Sequence, residues 1–345
     1  MKAAVVTRPG ELSVMDVPRP AIGEYGALCQ LLYGATCTGT DGHLIACDPP
    51  FSKWLTPPFI LGHESIGRVV EVGPKVRNLK TGDLVTRVGC PAVGEVGSGW
   101  GGFAEIGVAL DWRAMREDGR PASEWKKATV NQLLPSGMDP AAATMVITWR
   151  ETISYLKRVG VAEGAAIAVL GSGGNGLSFL AHSTHLGAEH RVMVGSPLRA
   201  EAARRAGATG YVDYHAADAV EQALAMAPGG FDFVIDAVGK SVLADLGISI
   251  LKPRGTFGTY GLDEASQIRI NPALAKGSFI IDKSGYDEAE THDDVMELIR
   301  QGKLDASIWL DLKNPFALDD IGAAFDAVRR RKLIKALVRL SDRID

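Results

Sequence analysis

The sequence predicts an α/β chain in which a doubly wound parallel sheet is inserted into a β-rich domain, and three observations carry that reading. The first is the run Ala168-Val169-Leu170-Gly171-Ser172-Gly173-Gly174-Asn175-Gly176-Leu177. Short apolar residues at 167–170 read as a buried parallel strand, three glycines follow at G-x-G-x-x-G spacing, and a helix-compatible run continues to Leu186. The second is the regular alternation of strand and helix patterns from Ile167 to about Tyr286, the mark of a parallel sheet with crossover helices. The third is a shift in composition. Residues 1–110 are rich in Val, Gly and Pro in short alternating stretches, and the end of the chain returns to a helix and a strand.

Taken in order, 67–73 and 83–88 alternate apolar and polar residues and read as strands of an all-β, turn-rich module. Residues 112–128 are polar and charged, as expected of a surface insertion. A long helix is expected from Asp139-Pro140, with proline in its first turn, to about Arg158. Strands are expected at 167–170, 191–194, 231–235, 255–260 and 277–281, then a helix over 318–331 and a last strand over 333–340. These elements divide the chain into a β-rich domain of 1–146 plus 286–345 and a sheet domain of 147–285.

Composition sets the outer limits. With 345 residues, 46% hydrophobic and 23% charged, the chain can build two ordinary cores. A net charge of −4 provides no field to recruit nucleic acid or an anionic membrane, and no apolar run reaches the length of a membrane span. The opening Met1-Lys2-Ala3-Ala4-Val5-Val6 reads as a first strand rather than a signal peptide, so a cytoplasmic protein is expected. Cys29, Cys37, Cys47 and Cys90 are too scattered to suggest a disulfide framework.

The glycine run has a specific chemistry. Gly171 allows a tight turn, Gly173 lets backbone approach a pyrophosphate, and Gly176 lets the helix pack on the sheet. The N–H groups of the helix start, around Gly174 and Asn175, face the phosphates. A dinucleotide site of Rossmann type follows. The second strand of such a sheet commonly ends in a carboxylate that binds the ribose of NAD. Here it runs into Gly195-Ser196-Pro197-Leu198-Arg199, where the small glycine makes room and Ser196 with Arg199 suit a 2′-phosphate. NADP is expected in preference to NAD, with Arg204 and Arg205 as further candidates.

Two more blocks add a family likeness. Gly62-His63-Glu64-Ser65-Ile66-Gly67-Arg68-Val69-Val70-Glu71-Val72-Gly73, with Lys80-Thr81-Gly82-Asp83-Leu84-Val85 behind it, closely resembles the signature of zinc-type medium-chain alcohol and polyol dehydrogenases. Gly39-Thr40-Asp41-Gly42-His43 resembles that family's second site motif, and the likeness extends to Ala141-Ala142-Ala143 and Gly258-Thr259-Tyr260-Gly261. The resemblance implies a GroES-like catalytic domain around the Rossmann domain. It also implies hydride transfer between a nicotinamide cofactor and a secondary alcohol or ketone of a sugar, polyol or cyclitol, a small-molecule substrate. A homo-oligomer is expected, with its subunit number open.

For the catalytic zinc, the resemblance maps ligands onto His63 and Glu64, while two other slots depart from the pattern. Thr38 stands where the family has cysteine, with Cys37 one residue earlier. Ile147 stands at the head of the linking helix, with Glu151 one turn on. Three readings are open. A bulge brings Cys37 to His63 and Glu64 as a zinc site, or Glu151 supplies the missing ligand. Otherwise His43, His63, Glu64 and Glu151 work as acid and base without metal. The resemblance further implies that Thr40 and His43 relay the substrate proton, that Asp41 orients the site, and that Lys335 reaches the cofactor pyrophosphate. The cysteine-rich lobe of a second, structural zinc is missing, since only Cys90 stands in that region. The proline-stiffened loop 48–59, with Trp100 and Trp149, is a candidate pocket lining. Two alternatives stay open: a zinc-independent reductase of an activated double bond or carbonyl, and a non-catalytic NADP(H)-binding protein.

Overall fold

The chain divides into two units, Met1–Ile147 together with the stretch from Trp309 onward, and Thr148–Ile308. The computed structural model describes residues 1–341, apart from the side chains of 265 and 266.

The first unit is built on the strand Gly26–Ala35, whose ten residues are nearly all buried. It pairs antiparallel with Glu64–Val72 on one side and with Leu337–Arg339 on the other, and near its start with Ile106–Leu110. Leu84–Thr86 and Phe316–Ala317 complete this sheet, and a second sheet orders Glu11–Asp16, Lys2–Arg8, Phe59–Ile60 and Gly97–Ser98. The register positions the site. Ala35, the last residue of the central strand, faces Glu64 on one neighbour and Leu337 on the other. Three stretches far apart in sequence therefore end at one edge. Beyond Ala35 the chain leaves the sheet and turns into the helix Thr38–Ala46.

The second unit is a six-stranded parallel sheet. Its spatial order is Gly210–Asp213, His190–Gly195, Ala166–Leu170, Phe231–Asp236, Leu251–Thr259 and Ile280–Asp282. The strand order reverses between Ala166–Leu170 and Phe231–Asp236, which is the doubly wound arrangement, and ligands bind at the carboxyl ends of strands at such a point. Ala168, Leu170, Val192, Val194, Val234 and Phe257 fill the core beneath it. These strands carry apolar residues on both faces, as a sheet covered on both sides requires.

Several boundaries differ from the sequence reading. Residues 286–308 pack with the second unit rather than the first. Glu288 forms a 2.7 Å ion pair with Arg150 there, with both side chains buried. The stretch 112–128 is helical, Trp112–Glu117 followed by Ala122–Trp125, because Asp111 caps the first helix by accepting from the Ala114 N–H. The helix expected from Asp139 is two, Pro140–Ala143 and Met145–Val159, with the Asp139 side chain capping the first. The strand Gly210–Asp213 is additional to those the sequence pattern marks, since four residues with one fully buried position give little pattern. The 277–281 and 333–340 strands shorten to Ile280–Asp282 and Leu337–Arg339. No helix among the described residues is long and apolar enough to cross a membrane.

Candidate active site

The edge where the three strand ends meet carries the chemistry of the first unit. His63 precedes the strand Glu64–Val72 and is presented by a turn at Gly62. There φ is +100° and a Cβ would lie 2.6 Å from the Phe103 ring, so only glycine fits. His63 Nδ1 lies 3.2 Å from Asp41 Oδ1, and its Nε2 lies 3.8 Å from Glu64 Oε1. Asp41 is fully buried on the helix Thr38–Ala46, and its other oxygen accepts the Cys37 N–H at 2.8 Å. Cys37 Sγ, a ring nitrogen of His63 and a carboxylate oxygen of Glu64 all lie within 4.8 Å of one another. Among the described residues this is the one group of His, Cys, Asp and Glu placed to hold a metal.

The cysteine question raised by the motif has a simple geometric resolution. Opposite-face alternation applies only while the chain is a strand, and the strand stops at Ala35. Cys37 is the N-cap of the next helix, still extended at φ −114° and ψ 108°, and its buried side chain stands with His63 and Glu64 although no register shift falls at that position. Thr38, in the family's cysteine slot, is exposed. Ile147 is buried and offers no donor atom.

Burial by itself depresses the His63 imidazole, but the Asp41 carboxylate and Cys37 outweigh it and push the pKa up to about 10. Lys335, which the resemblance aims at the pyrophosphate, has a protein partner here: its ammonium lies 2.8 Å from Glu64 Oε1 and 2.7 Å from Oε2, with lysine and glutamate each 2% exposed. A lysine so buried needs its counter-ion, and Glu64 provides it.

Thr40 and His43 lie three residues apart on the helix Thr38–Ala46, so they share a face. His43 Nδ1 is 3.7 Å from Asp48 Oδ2 near the surface. The aromatic loop folds into a cluster in which Phe51, Trp54 and Trp100 meet edge to face. The Trp100 ring centroid stands 5.6 Å from that of His63. Trp149 is buried in the other unit and lines no open surface.

In the second unit the three motif glycines have three different surroundings. A Cβ at Gly171 (φ +104°) would lie 2.4 Å from the Val238 side chain, and one at Gly176 would lie 1.8 Å from the Gly171 carbonyl. A Cβ at Gly173 would meet nothing within 4 Å. The first two are packing requirements, and the third is open space at the start of the helix Gly174–His185. That is the layout a pyrophosphate needs. Asn175, in the first turn of that helix, donates to the Tyr260 hydroxyl at 2.7 Å, and that hydroxyl donates to Glu151 Oε2 at 3.0 Å. Glu151 therefore belongs to the glycine-loop network of the second unit. The sequence contained Tyr260 only as part of a family-like block, with nothing to indicate this contact.

The strand His190–Gly195 ends where a Cβ would meet Ser172 Oγ at 2.6 Å and the Tyr211 hydroxyl at 2.9 Å. Ser196 and Arg199 follow at the carboxyl end of that strand. Arg204 pairs with Glu201, and Arg205 with Asp305 at 3.3 Å, so both serve surface ion pairs.

Comparison with known proteins agrees with this arrangement. The alcohol dehydrogenase GroES-like domain matches residues 31–116, and the zinc-binding dehydrogenase domain matches residues 174–301. The chain is 30% identical to "Probable D-xylulose reductase A" of Arthroderma otae over 94% of this chain and 92% of that one. It is 26% identical to L-galactonate-5-dehydrogenase of Escherichia coli over 98% of each. The crystal structure of 2R,3R-butanediol dehydrogenase from Bacillus subtilis has the same fold, with a TM-score of 0.79, 22% identity and coverage of 98% of this chain and 99% of that one. Fold and matches together define a dehydrogenase that uses a nicotinamide dinucleotide on a small molecule. The chain belongs to the zinc-type medium-chain alcohol dehydrogenase family.

Proposed function

We propose that this dehydrogenase interconverts a secondary alcohol of a sugar, polyol or cyclitol with its ketone, using NADP(H) and one zinc held by Cys37, His63 and Glu64. The observation that carries the reading is the buried thiol, imidazole and carboxylate gathered within 4.8 Å of one another. Sulfur, nitrogen and oxygen donors from three side chains are the set that zinc takes in catalytic sites with an open fourth position. Asp41 on Nδ1 fits as well, because a carboxylate on the far nitrogen fixes the ring and directs Nε2 at the metal. Zinc bound there supplies a Lewis acid for the substrate oxygen.

The remaining tasks fall to the chain's own residues. The Thr40 hydroxyl accepts the proton leaving the substrate oxygen as it gives up its own, and His43 carries the released proton toward solvent past Asp48. Trp100, beside His63, offers an aromatic face to the C–H side of a sugar or cyclitol ring. The names of the galactonate dehydrogenase and the xylulose reductase favour such sugar-derived substrates. The preference for NADP rests on the end of the strand His190–Gly195. Ser172 and Tyr211 leave no room for a carboxylate side chain at position 195, which removes the usual partner of an unphosphorylated ribose. Ser196 and Arg199 stand next to that gap to receive a 2′-phosphate.

The test is metal content of untagged protein by mass spectrometry, together with turnover of the His63→Ala variant. About one zinc per chain in wild type is expected. His63→Ala should lose both zinc and turnover while its NADP(H) affinity stays near wild type. Zinc-free wild type after growth with added zinc, or full turnover in His63→Ala, refutes the proposal.

A further inference from the structure

Glu151, Tyr260 and Asn175 form a hydrogen-bonded chain that the proposed chemistry leaves unused. The Glu151 side chain is 6% exposed on the helix Met145–Val159, and its Oε2 accepts from the Tyr260 hydroxyl at 3.0 Å. That hydroxyl accepts in turn from Asn175 Nδ2 at 2.7 Å. A carboxylate only accepts hydrogen bonds, so the chain runs one way, from the amide through the tyrosine to the glutamate. Tyr260 itself is firmly placed. Its N–H and that of Gly261 donate to the Asp236 carbonyl at 3.1 and 2.9 Å. Its ring meets Phe179 and Tyr155 edge to face, with centroids 4.9 and 5.3 Å apart.

The sheet decides which half of a dinucleotide this chain faces. A dinucleotide lies across the crevice where the strand order reverses, with its pyrophosphate at the helix start after the first strand. The reversal here falls between Ala166–Leu170 and Phe231–Asp236. Ser196 and Arg199, beyond His190–Gly195, stand on the adenosine side of it. Tyr260 directly follows Leu251–Thr259 and is tied to the end of Phe231–Asp236, so Tyr260 and Glu151 stand on the nicotinamide side.

We propose that Glu151, held in place by Tyr260, sets the balance between the two oxidation states of the bound cofactor and favours the oxidised one. The nicotinamide ring carries a positive charge when oxidised and none when reduced, while the rest of the cofactor is the same in both. A fixed carboxylate on that side of the crevice attracts the charged ring, and at 6% exposure water screens it little. Only such a difference in affinity can shift the balance between two forms. Whatever Glu151 does to the phosphates is common to both forms and cancels in their ratio. Its role is thus electrostatic, with Tyr260 as the positioning residue. This inference rests on the dinucleotide reading above.

The experiment is calorimetric titration of the full-length chain with NADP+, NADPH and adenosine 2′,5′-bisphosphate, which has no nicotinamide. Glu151→Gln keeps an oxygen that accepts from Tyr260 and removes only the charge. In this variant the ratio of the Kd for NADP+ to the Kd for NADPH is expected to rise about fivefold or more, with the bisphosphate within about twofold of wild type. A ratio within about twofold of wild type overturns this inference alone. So does an effect on the bisphosphate as large as that on NADP+, because it places Glu151 on the adenosine side. Wild type that binds NAD+ and NADH in place of the phosphorylated pair overturns the NADP preference alone, and the ratio is then read on that pair. Wild type that binds no nicotinamide dinucleotide overturns the dinucleotide reading and this inference with it. Should Glu151→Gln fail to fold, Asn175→Asp decides: a second carboxylate on the Tyr260 hydroxyl is expected to lower the ratio, and an unchanged or raised ratio overturns the inference.

Discussion

Replacing Gly173 by alanine separates cofactor binding from folding at one position. The residue caps the helix Gly174–His185 with φ −79° and ψ −173°, an extended conformation open to any residue. A Cβ there meets no atom within 4 Å, so the substitution introduces no clash. On the folding side, alanine gains about 0.4–1 kcal/mol by restricting the unfolded chain. It gives back a similar amount as a poorer N-cap than glycine, of the order of 0.5–1 kcal/mol. Stability should thus stay within about 1 kcal/mol of wild type. On the binding side, the methyl occupies the space through which a pyrophosphate approaches the helix start. Loss of one charge-assisted hydrogen bond there is worth about 1.5–3 kcal/mol, or roughly 10- to 150-fold in Kd. The assay is fluorescence titration with NADPH alongside thermal unfolding without cofactor. Gly176→Ala is the contrast, because its Cβ would lie 1.8 Å from a backbone carbonyl and the fold itself should suffer. A Kd within twofold of wild type in a stable Gly173→Ala protein would refute the placement of the pyrophosphate.

Two further perturbations test different parts of the molecule. Arg199→Ala should raise the Kd for NADP roughly tenfold or more and leave that for NAD unchanged, as measured by calorimetry; equal effects on both would remove the 2′-phosphate argument. His182 is a pH probe of the second unit, because burial first, then His185 and Lys157, push its pKa down from 6.5 to about 3. Below pH 6.5 the unfolded chain binds a proton that the folded chain refuses. Its contribution is therefore lost as pH falls from 6.5 toward 3, by up to roughly 1.4 kcal/mol per pH unit. Urea denaturation between pH 8 and 5 should show a shallower acid loss in His182→Gln than in wild type, and parallel curves would sink the assignment.

How much of this could be read from the sequence depended on how local the determining interaction was. The strand 167–170 was legible because both of its faces are buried, which leaves a continuous apolar run, and 191–194 and 231–235 keep the shorter apolar runs 192–194 and 233–235. The strand Gly210–Asp213 was not, because its place is set by pairing with His190–Gly195 and not by its own four residues. The assignment of 286–308 failed for a similar reason. What ties that segment to the second unit is a set of contacts such as Glu288 with Arg150 and Glu290 with Arg158, each spanning more than 130 positions that no window of sequence contains.

The site repeats that division within a few residues. The glycine loop and the Gly62-His63-Glu64 block were legible because each is a contiguous stretch whose backbone demands particular residues. Cys37 was harder. Counting positions treats Thr38 as the ligand slot and assumes a strand up to it, whereas the strand ends at Ala35 and the cap geometry of the next residues decides which side chain turns inward. Lys335 was beyond counting altogether. Its partner Glu64 lies 271 residues away, and the two meet because one central strand has Glu64 and Leu337 on either side of the same residue, Ala35. The family resemblance put the cofactor pyrophosphate opposite this basic residue, whereas the anion beside it in the structure is Glu64. Which anion it serves is a property of strand register. Register in this sheet is fixed by burial along the whole of Gly26–Ala35, so the Lys335 charge is brought to Glu64 by the packing of a strand that contains neither residue.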